Sequence, residues 1–170
     1  IGILHPVTTN IENLKNETLS FLNSIKKSKK NFVLVYPNND HGSNIILEEY
    51  KKIKSKNIRI LPSMRFEYYI QLLKSSKVIM GNSSSGIMEA PYFGVPTINI
   101  GDRQKNRSIL KNINHCNFDE KKILTLINYF FTKELKYKKK NEFGSGNSFT
   151  IFNKILYSKK LWKIDTQKQF

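Results

Sequence analysis

The chain has 170 residues, enough for one domain with a true core and an appended tail, and its formal net charge is +16. No stretch approaches the roughly 20 apolar residues that cross a bilayer, and the N-terminus lacks the layout of a secretory signal, so a soluble cytoplasmic protein with no membrane role is expected. The single cysteine, Cys116, rules out an internal disulfide, and its expected role is that of a small buried hydrophobe. The charge raises a basic nucleic-acid-binding domain as a reading outside catalysis. Its distribution argues against it. Lys is spread over predicted helix faces, whereas Arg occurs only as Arg59, Arg65, Arg103 and Arg107.

Residues 1–4 form a short apolar strand that ends at His5-Pro6. A chain that opens in mid-strand is expected to be one domain of a longer polypeptide. From Thr9 to Lys29, Leu14, Thr18, Phe21, Leu22 and Ile25 make one apolar stripe, the mark of an amphipathic helix. Phe32 to Pro37 is an apolar, β-rich run that predicts a buried strand, followed by a loop in which Ser43 caps a helix bearing Ile46, Leu47, Tyr50 and Ile53. Asn57 to Leu61 predicts a third strand, stopped by Pro62, and Phe66 to Lys74 a helix with Tyr69, Leu72 and Leu73 inward.

Val78 to Met80 then reads as a strand, Gly81 to Gly86 as the turn beyond it, and Ile87 to Phe93 as a helix whose first amides face that turn. Thr97 to Ile100 predicts another strand, and Asp119 to Phe131 a helix capped by Asp119. Strand and helix alternate about five times with short connections, which specifies an α/β fold, a Rossmann-like doubly wound parallel sheet. Past Lys133 the pattern weakens into a basic, glycine-containing linker. The expected division is a nucleotide-binding domain over residues 1–147 and, over 148–170, one more amphipathic helix with a polar tail.

In such a sheet ligands collect beyond the carboxyl ends of the strands. Three strand ends, at His5, Asn38 and Ser83, open on that edge. Asn82, Ser83, Ser84, Ser85 and Gly86 form a hydroxyl-rich loop suited to phosphate oxygens, and Glu89, one turn into the helix, suits a ribose diol. A lone strand-end His is ordinarily a solvated imidazole, but here convergence favours a donor to a leaving phosphate or a general acid. Arg103 and Arg107 follow the next strand, and Arg103 in a Lys-rich chain fits the fork geometry of a phosphate clamp. No metal site is expected, since His5, His41 and His115 lack ligand spacing. No dinucleotide fingerprint is present, no cofactor is expected, and Ser83 to Ser85 lack a nucleophile elbow.

Taken together, HPVTT at 5–9, YPNNDHGS at 36–43, GNSSSGIMEAPYFGVPTINIGDRQKNR at 81–107 and FGSGNS at 143–148 resemble, in order and spacing, the C-terminal half of the hydrolysing UDP-N-acetylglucosamine 2-epimerases. The non-hydrolysing relatives have an Arg after the strand-end His and a DSGG-like loop, so His5-Pro6-Val7 and Asn82-Ser83-Ser84 point to the hydrolysing branch. The resemblance implies a two-domain enzyme of glycosyltransferase-B type, of which this chain is the UDP-holding half, with 148–170 packing back toward the N-terminal domain and a homo-oligomer when full length. It implies that Ser83, Ser84 and Arg103 contact the diphosphate, Glu89 the ribose, His5 the phosphate at the scissile bond, and Asn38 and the backbone near Met64 the nucleoside. Met64-Arg65 departs from the Val-Pro-like pair of the family. The implied reaction acts on UDP-GlcNAc or UDP-diacetylbacillosamine, by anti elimination of UDP and hydration of the glycal. A glycosyltransferase of the same architecture is the alternative.

Overall fold

The computed structural model describes residues 1–133 and 137–164; residues 134–136 of the expected linker and 165–170 of the expected tail lie outside the described residues. The strands are β1 (Gly2–Ile3), β2 (Phe32–Val35), β3 (Ile58–Leu61), β4 (Ile79–Gly81), β5 (Thr97–Ile100) and β6 (Ile113–Cys116). They form one six-stranded sheet in the order β3-β2-β1-β4-β5-β6, parallel at every pairing. This is the doubly wound order, with its topological switch between β1 and β4.

The helices are α1 (Leu14–Ser28), α2 (Ser43–Lys51), α3 (Phe66–Ser75), α4 (Glu89–Phe93), α5 (Glu120–Thr132) and α6 (Ser148–Leu156). Helices α1 to α5 cover both faces of the sheet because the strands are apolar on both. Phe21, Leu22 and Ile25 of α1, Ile46 and Tyr50 of α2, and Ile123, Ile127 and Phe130 of α5 pack with Leu34, Met80, Ile98 and Ile100. On the other face Leu73 of α3 and Ala90 of α4 meet Ile1, Ile3 and Ile79. A fully buried Phe such as Phe21 stabilises the fold by about 1.5–3 kcal/mol. Among the described residues no helix is long and apolar enough to cross a membrane, and Cys116 is buried and unbridged.

Three sequence expectations are revised. β6 lies where none is predicted, because the polar Asn114 and His115 stand between its buried ends, Ile113 and Cys116, which gives neither an apolar run nor a two-residue alternation. The first helix is two elements, a 3₁₀ stretch over Thr8–Asn13 and then α1, broken at Asn10 (φ −141°, ψ 43°). The helix expected from Ile87 begins at Glu89, preceded by a 3₁₀ turn over Ser84–Gly86. Asp119 caps α5 as expected, its Oδ1 accepting from the Lys122 N–H at 2.9 Å.

The chain divides into two compact units, Ile1–Lys140 and Asn141–Phe170. The second unit contains α6, an amphipathic helix on which Phe149, Ile151, Phe152 and Ile155 are exposed.

Candidate functional site

The switch point is built on a close backbone approach. Gly81 ends β4 at φ 123°, and a Cβ there would stand 1.9 Å from the Ile3 carbonyl oxygen of β1. Only glycine allows both the conformation and the contact. The next residue, Asn82, is 1% exposed. Its Oδ1 accepts the His5 backbone N–H at 2.7 Å and its Nδ2 donates to the His5 carbonyl at 2.8 Å. The side chain expected to bind ligand therefore staples the loop after β1 to the loop after β4. Its own carbonyl accepts from Arg103 Nη1 at 3.0 Å and from Gln104 Nε2 at 3.2 Å, which ties in the loop after β5.

On one side of this staple lies a cavity of about 470 Å³ lined by His5, Tyr36, Pro37, Asn38, Met64, Phe66, Tyr69, Ser83, Ser84, Ser85 and Glu89, among others. The structure thus brings most of the predicted site residues to one wall. Gly86 lines neither this cavity nor its neighbour. It is buried, a Cβ there would meet Thr97 Cγ2 at 2.7 Å, and its carbonyl accepts from Thr97 Oγ1 at 2.6 Å, so it seats the 3₁₀ turn on β5. Arg103 lines the adjoining cavity, of about 530 Å³, together with Asn82.

The phosphate-binding expectation changes in detail. Ser83 Oγ caps the 3₁₀ turn by accepting from the Ser85 N–H at 3.3 Å. The N–H groups of Gly86, Ile87 and Met88 donate to Ser83 and Ser84 carbonyls. These three amides are spent inside the turn, and the hydroxyls of Ser83 and Ser84 are donors that the loop offers. Ser85 is buried and hydrogen-bonded to the Tyr69 hydroxyl. Glu89 differs from all of them: its Oε2 is buried without a partner, on the wall of the cavity. A carboxylate oxygen kept from water and unpaired is costly. Hydrogen-bond donors on a ligand would offset that cost.

His5 is oriented by its neighbours. Its Nδ1 accepts the Asn38 backbone N–H at 3.1 Å, and Asn38 Nδ2 donates to Asp40 Oδ2 at 2.6 Å. With Nδ1 an acceptor, the neutral ring carries its proton on Nε2 and presents a donor. Burial holds the imidazole below its ordinary pKa of 6.5, and the Arg103 guanidinium adds to this; the Asn38 bond and Asp40 partly oppose it. Burial also pushes the Tyr69 hydroxyl up to about 12. His5 is therefore a neutral donor beside a cation, a pairing suited to an incoming anion.

Sequence reasoning missed Tyr69, Phe66 and Gln104. Tyr69 was assigned inward on helical spacing alone, and nothing in that spacing marks its bond to Ser85. Gln104 is 2% exposed and is held by Arg107, whose Nη1 donates to Gln104 Oε1 at 2.8 Å. Arg107 therefore acts through Gln104 on the Asn82 carbonyl. The available signal was position, directly after Arg103 on the carboxyl edge.

The family model described as UDP-N-acetylglucosamine 2-epimerase matches residues 1–157. The chain is 36% identical over 173 residues to the UDP-N-acetylglucosamine 2-epimerase of Neisseria meningitidis, covering 100% of this chain and 46% of that protein. It is 30% identical over 147 residues to the hydrolysing UDP-N,N'-diacetylbacillosamine 2-epimerase of Legionella pneumophila, covering 86% and 39%. The chain thus spans less than half the length of these relatives. In fold it is similar to the Methanocaldococcus jannaschii UDP-GlcNAc 2-epimerase solved with UDP-GlcNAc and UDP, at TM-score 0.72 and 19% identity, covering 91% of this chain and 44% of that one. On the match over residues 1–157, the chain belongs to the UDP-N-acetylglucosamine 2-epimerase family.

Proposed function

We propose that this chain is the UDP-binding half of a hydrolysing UDP-N-acetylglucosamine or UDP-N,N'-diacetylbacillosamine 2-epimerase. The observation that carries the reading is Glu89, whose unpaired buried oxygen shares one cavity wall with His5 and the Ser83 to Ser85 hydroxyls. A nucleoside diphosphate supplies what that wall lacks. Ribose hydroxyls donate to Glu89, phosphate oxygens accept from Ser83, Ser84 and the Nε2–H of His5, and Arg103 adds a positive charge beside them. Tyr36, Pro37, Met64 and Phe66 offer apolar surface for the base.

In the reaction the C1–O bond of the sugar breaks as the C2 proton is removed on the opposite face, giving UDP and a 2-acetamidoglycal. Water then adds, its oxygen to C1 and a proton to C2 from the other face, to give the free 2-epimeric sugar. The task of His5 is to donate to the departing phosphate, whose charge grows as the bond breaks. The carboxylates that move the C2 proton belong to the other half of such an enzyme, so residues 1–170 alone bind UDP weakly and turn nothing over.

The test is binding. UDP should protect the protein against thermal unfolding in a saturable way, and AMP much less. Glu89→Ala should weaken UDP by about tenfold while leaving inorganic diphosphate nearly unchanged, because one charged hydrogen bond to the ribose is lost. Equal losses for the two ligands would contradict the assignment. Incubating the full-length enzyme with UDP-GlcNAc and its diacetamido analogue, with the free sugar read by NMR, separates the two substrates. Transfer to an acceptor in place of a free sugar would indicate a glycosyltransferase.

A further inference from the structure

The loop after β5 carries Arg103 and is locked by its own residues. It leaves the strand at Gly101, in the left-handed region at φ 75°, where a Cβ would stand 2.8 Å from Cε2 of Phe118. The Gly101 N–H donates to the Cys116 carbonyl at 2.8 Å, which ties the exit to β6. A turn follows, in which the Lys105 N–H donates to the Asp102 carbonyl at 2.9 Å. Asn106 is left-handed as well, at φ 62°, a conformation that Asn tolerates better than most residues. This reversal returns Arg107 to Gln104.

Gln104 is the pivot of the loop, buried and bonded at both ends of its amide. Its Oε1 accepts from Arg107 Nη1 at 2.8 Å, and its Nε2 donates to the Asn82 carbonyl at 3.2 Å. A glutamine amide has one accepting end and one donating end, whereas an arginine only donates. The bond from Arg107 therefore sets the direction of the amide: with Oε1 committed, Nε2 faces Asn82. The same carbonyl accepts from Arg103 Nη1 at 3.0 Å. A carbonyl oxygen has two lone pairs, so Gln104 takes one and confines Arg103 to the other. Turned the opposite way, Gln104 would set its oxygen against that carbonyl and offer Arg103 a competing acceptor. Arg107 is exposed and lines neither of the two cavities. The Arg103 charge, by contrast, reaches His5 on the nucleotide side.

We propose that Gln104 and Arg107 are positioning residues for the diphosphate: Arg107 fixes the direction of the Gln104 amide, Gln104 holds the Asn82 carbonyl, and together they set where the Arg103 guanidinium presents its charge. The proposal rests on the nucleotide reading given above.

The test uses full-length enzyme and measures, by calorimetry, the Kd of UDP, inorganic diphosphate and uridine. Gln104→Met keeps the volume and the charge and removes both amide bonds. It and Arg107→Ala should each weaken UDP and diphosphate by about three- to tenfold, the misplacement of one charged hydrogen bond, with uridine within about twofold of wild type. A parallel loss of uridine would overturn the proposal, since the pair would then support the cavity or the fold. Full diphosphate affinity in Gln104→Met beside a weakened Arg107→Ala would overturn it too, because Arg107 would then act as a charge of its own. Unchanged affinities in both variants would overturn it and leave the nucleotide reading standing. Wild-type enzyme that binds no UDP would overturn both. If Gln104→Met fails to fold, the exposed Arg107 carries the test: its diphosphate loss relative to wild type should persist at about 0.5 M salt, whereas a loss that salt abolishes is that of a remote charge and overturns the proposal.

Discussion

The cavity lined by Ser83 and Glu89 and the one lined by Asn82 and Arg103 are of similar size and different character. The one toward α3 is walled by Tyr36, Pro37, Met64 and Phe66 and carries its polarity as hydroxyls and one unpaired carboxylate oxygen. The one toward α1 carries amides, two acids and a guanidinium. Each side alone is an ordinary surface hollow. Asn82 lines the second and precedes Ser83 of the first, and it ties their loops together: its side chain spends both polar atoms on the His5 backbone, and its carbonyl accepts from Arg103 and Gln104. Affinity for UDP should therefore depend on Asn82 as well as on the residues that line the first cavity.

The largest effect is expected where the Asn82 loop meets the sheet. Gly81→Ala places a methyl into the Ile3 carbonyl at a φ that L residues avoid. Since that contact is backbone on backbone, β1 and β4 must separate, and a loss of about 4 kcal/mol or more is expected. Urea denaturation measures it. A variant as stable as wild type would show that the strands are not held at this distance.

Asn82→Ala comes next. It leaves the His5 N–H and carbonyl without their partners in a part-buried position, at a cost of about 2–3 kcal/mol for the pair of bonds. Asn82→Asp keeps an acceptor for the N–H but sets a carboxylate oxygen against the His5 carbonyl, so it should rescue little. Both variants should lose stability and weaken UDP together, because Asn82 holds the loops after β1 and β4. Calorimetric UDP titration beside urea denaturation checks this, and loss of only one of the two would break the comparison.

Part of this was legible in the sequence because it depends on local order. Apolar runs ending at His5, Asn38 and Ser83 determine which residues reach the carboxyl edge, and alternation with amphipathic helices determines that the strands are parallel. Asn82 was legible as a member of the loop and illegible as its staple, since its partner is 77 residues away. The same holds for Tyr69 on Ser85. β6 was missed because two polar residues separate its buried ends, Ile113 and Cys116, so neither an apolar run nor an alternation marks it. The amides of the 3₁₀ turn were misjudged because a sequence does not reveal whether a turn closes on itself before its helix begins.

Phe66→Ala should touch one side only. Phe66 is 63% exposed at the start of α3 and lines the cavity toward it, so its removal should change stability by under about 0.5 kcal/mol. If the base stacks there, UDP affinity should fall about three- to tenfold while inorganic diphosphate is unaffected. Uniform weakening of both ligands would place the ring nearer the phosphates than the cavity suggests.

The smallest effect is a pH dependence that sharpens the role of His5. Its pKa in the folded chain lies below the ordinary 6.5, through burial first and Arg103 second. As pH falls through 6.5 the unfolded chain takes up the proton while the folded chain resists it, so the unfolded state is favoured. Stability contributed by the neutral ring is full above 6.5 and declines from there down to the folded pKa, with a slope of at most about 1.4 kcal/mol per pH unit for one proton. His5→Asn retains an acceptor for the Asn38 N–H and removes the titration. Subtracting its stability profile from that of wild type between pH 7.5 and pH 5 should leave a curve that falls toward acid. A difference that rises toward acid would mean that His5 is charged in the folded protein, and that the phosphate would meet an imidazolium rather than a neutral donor.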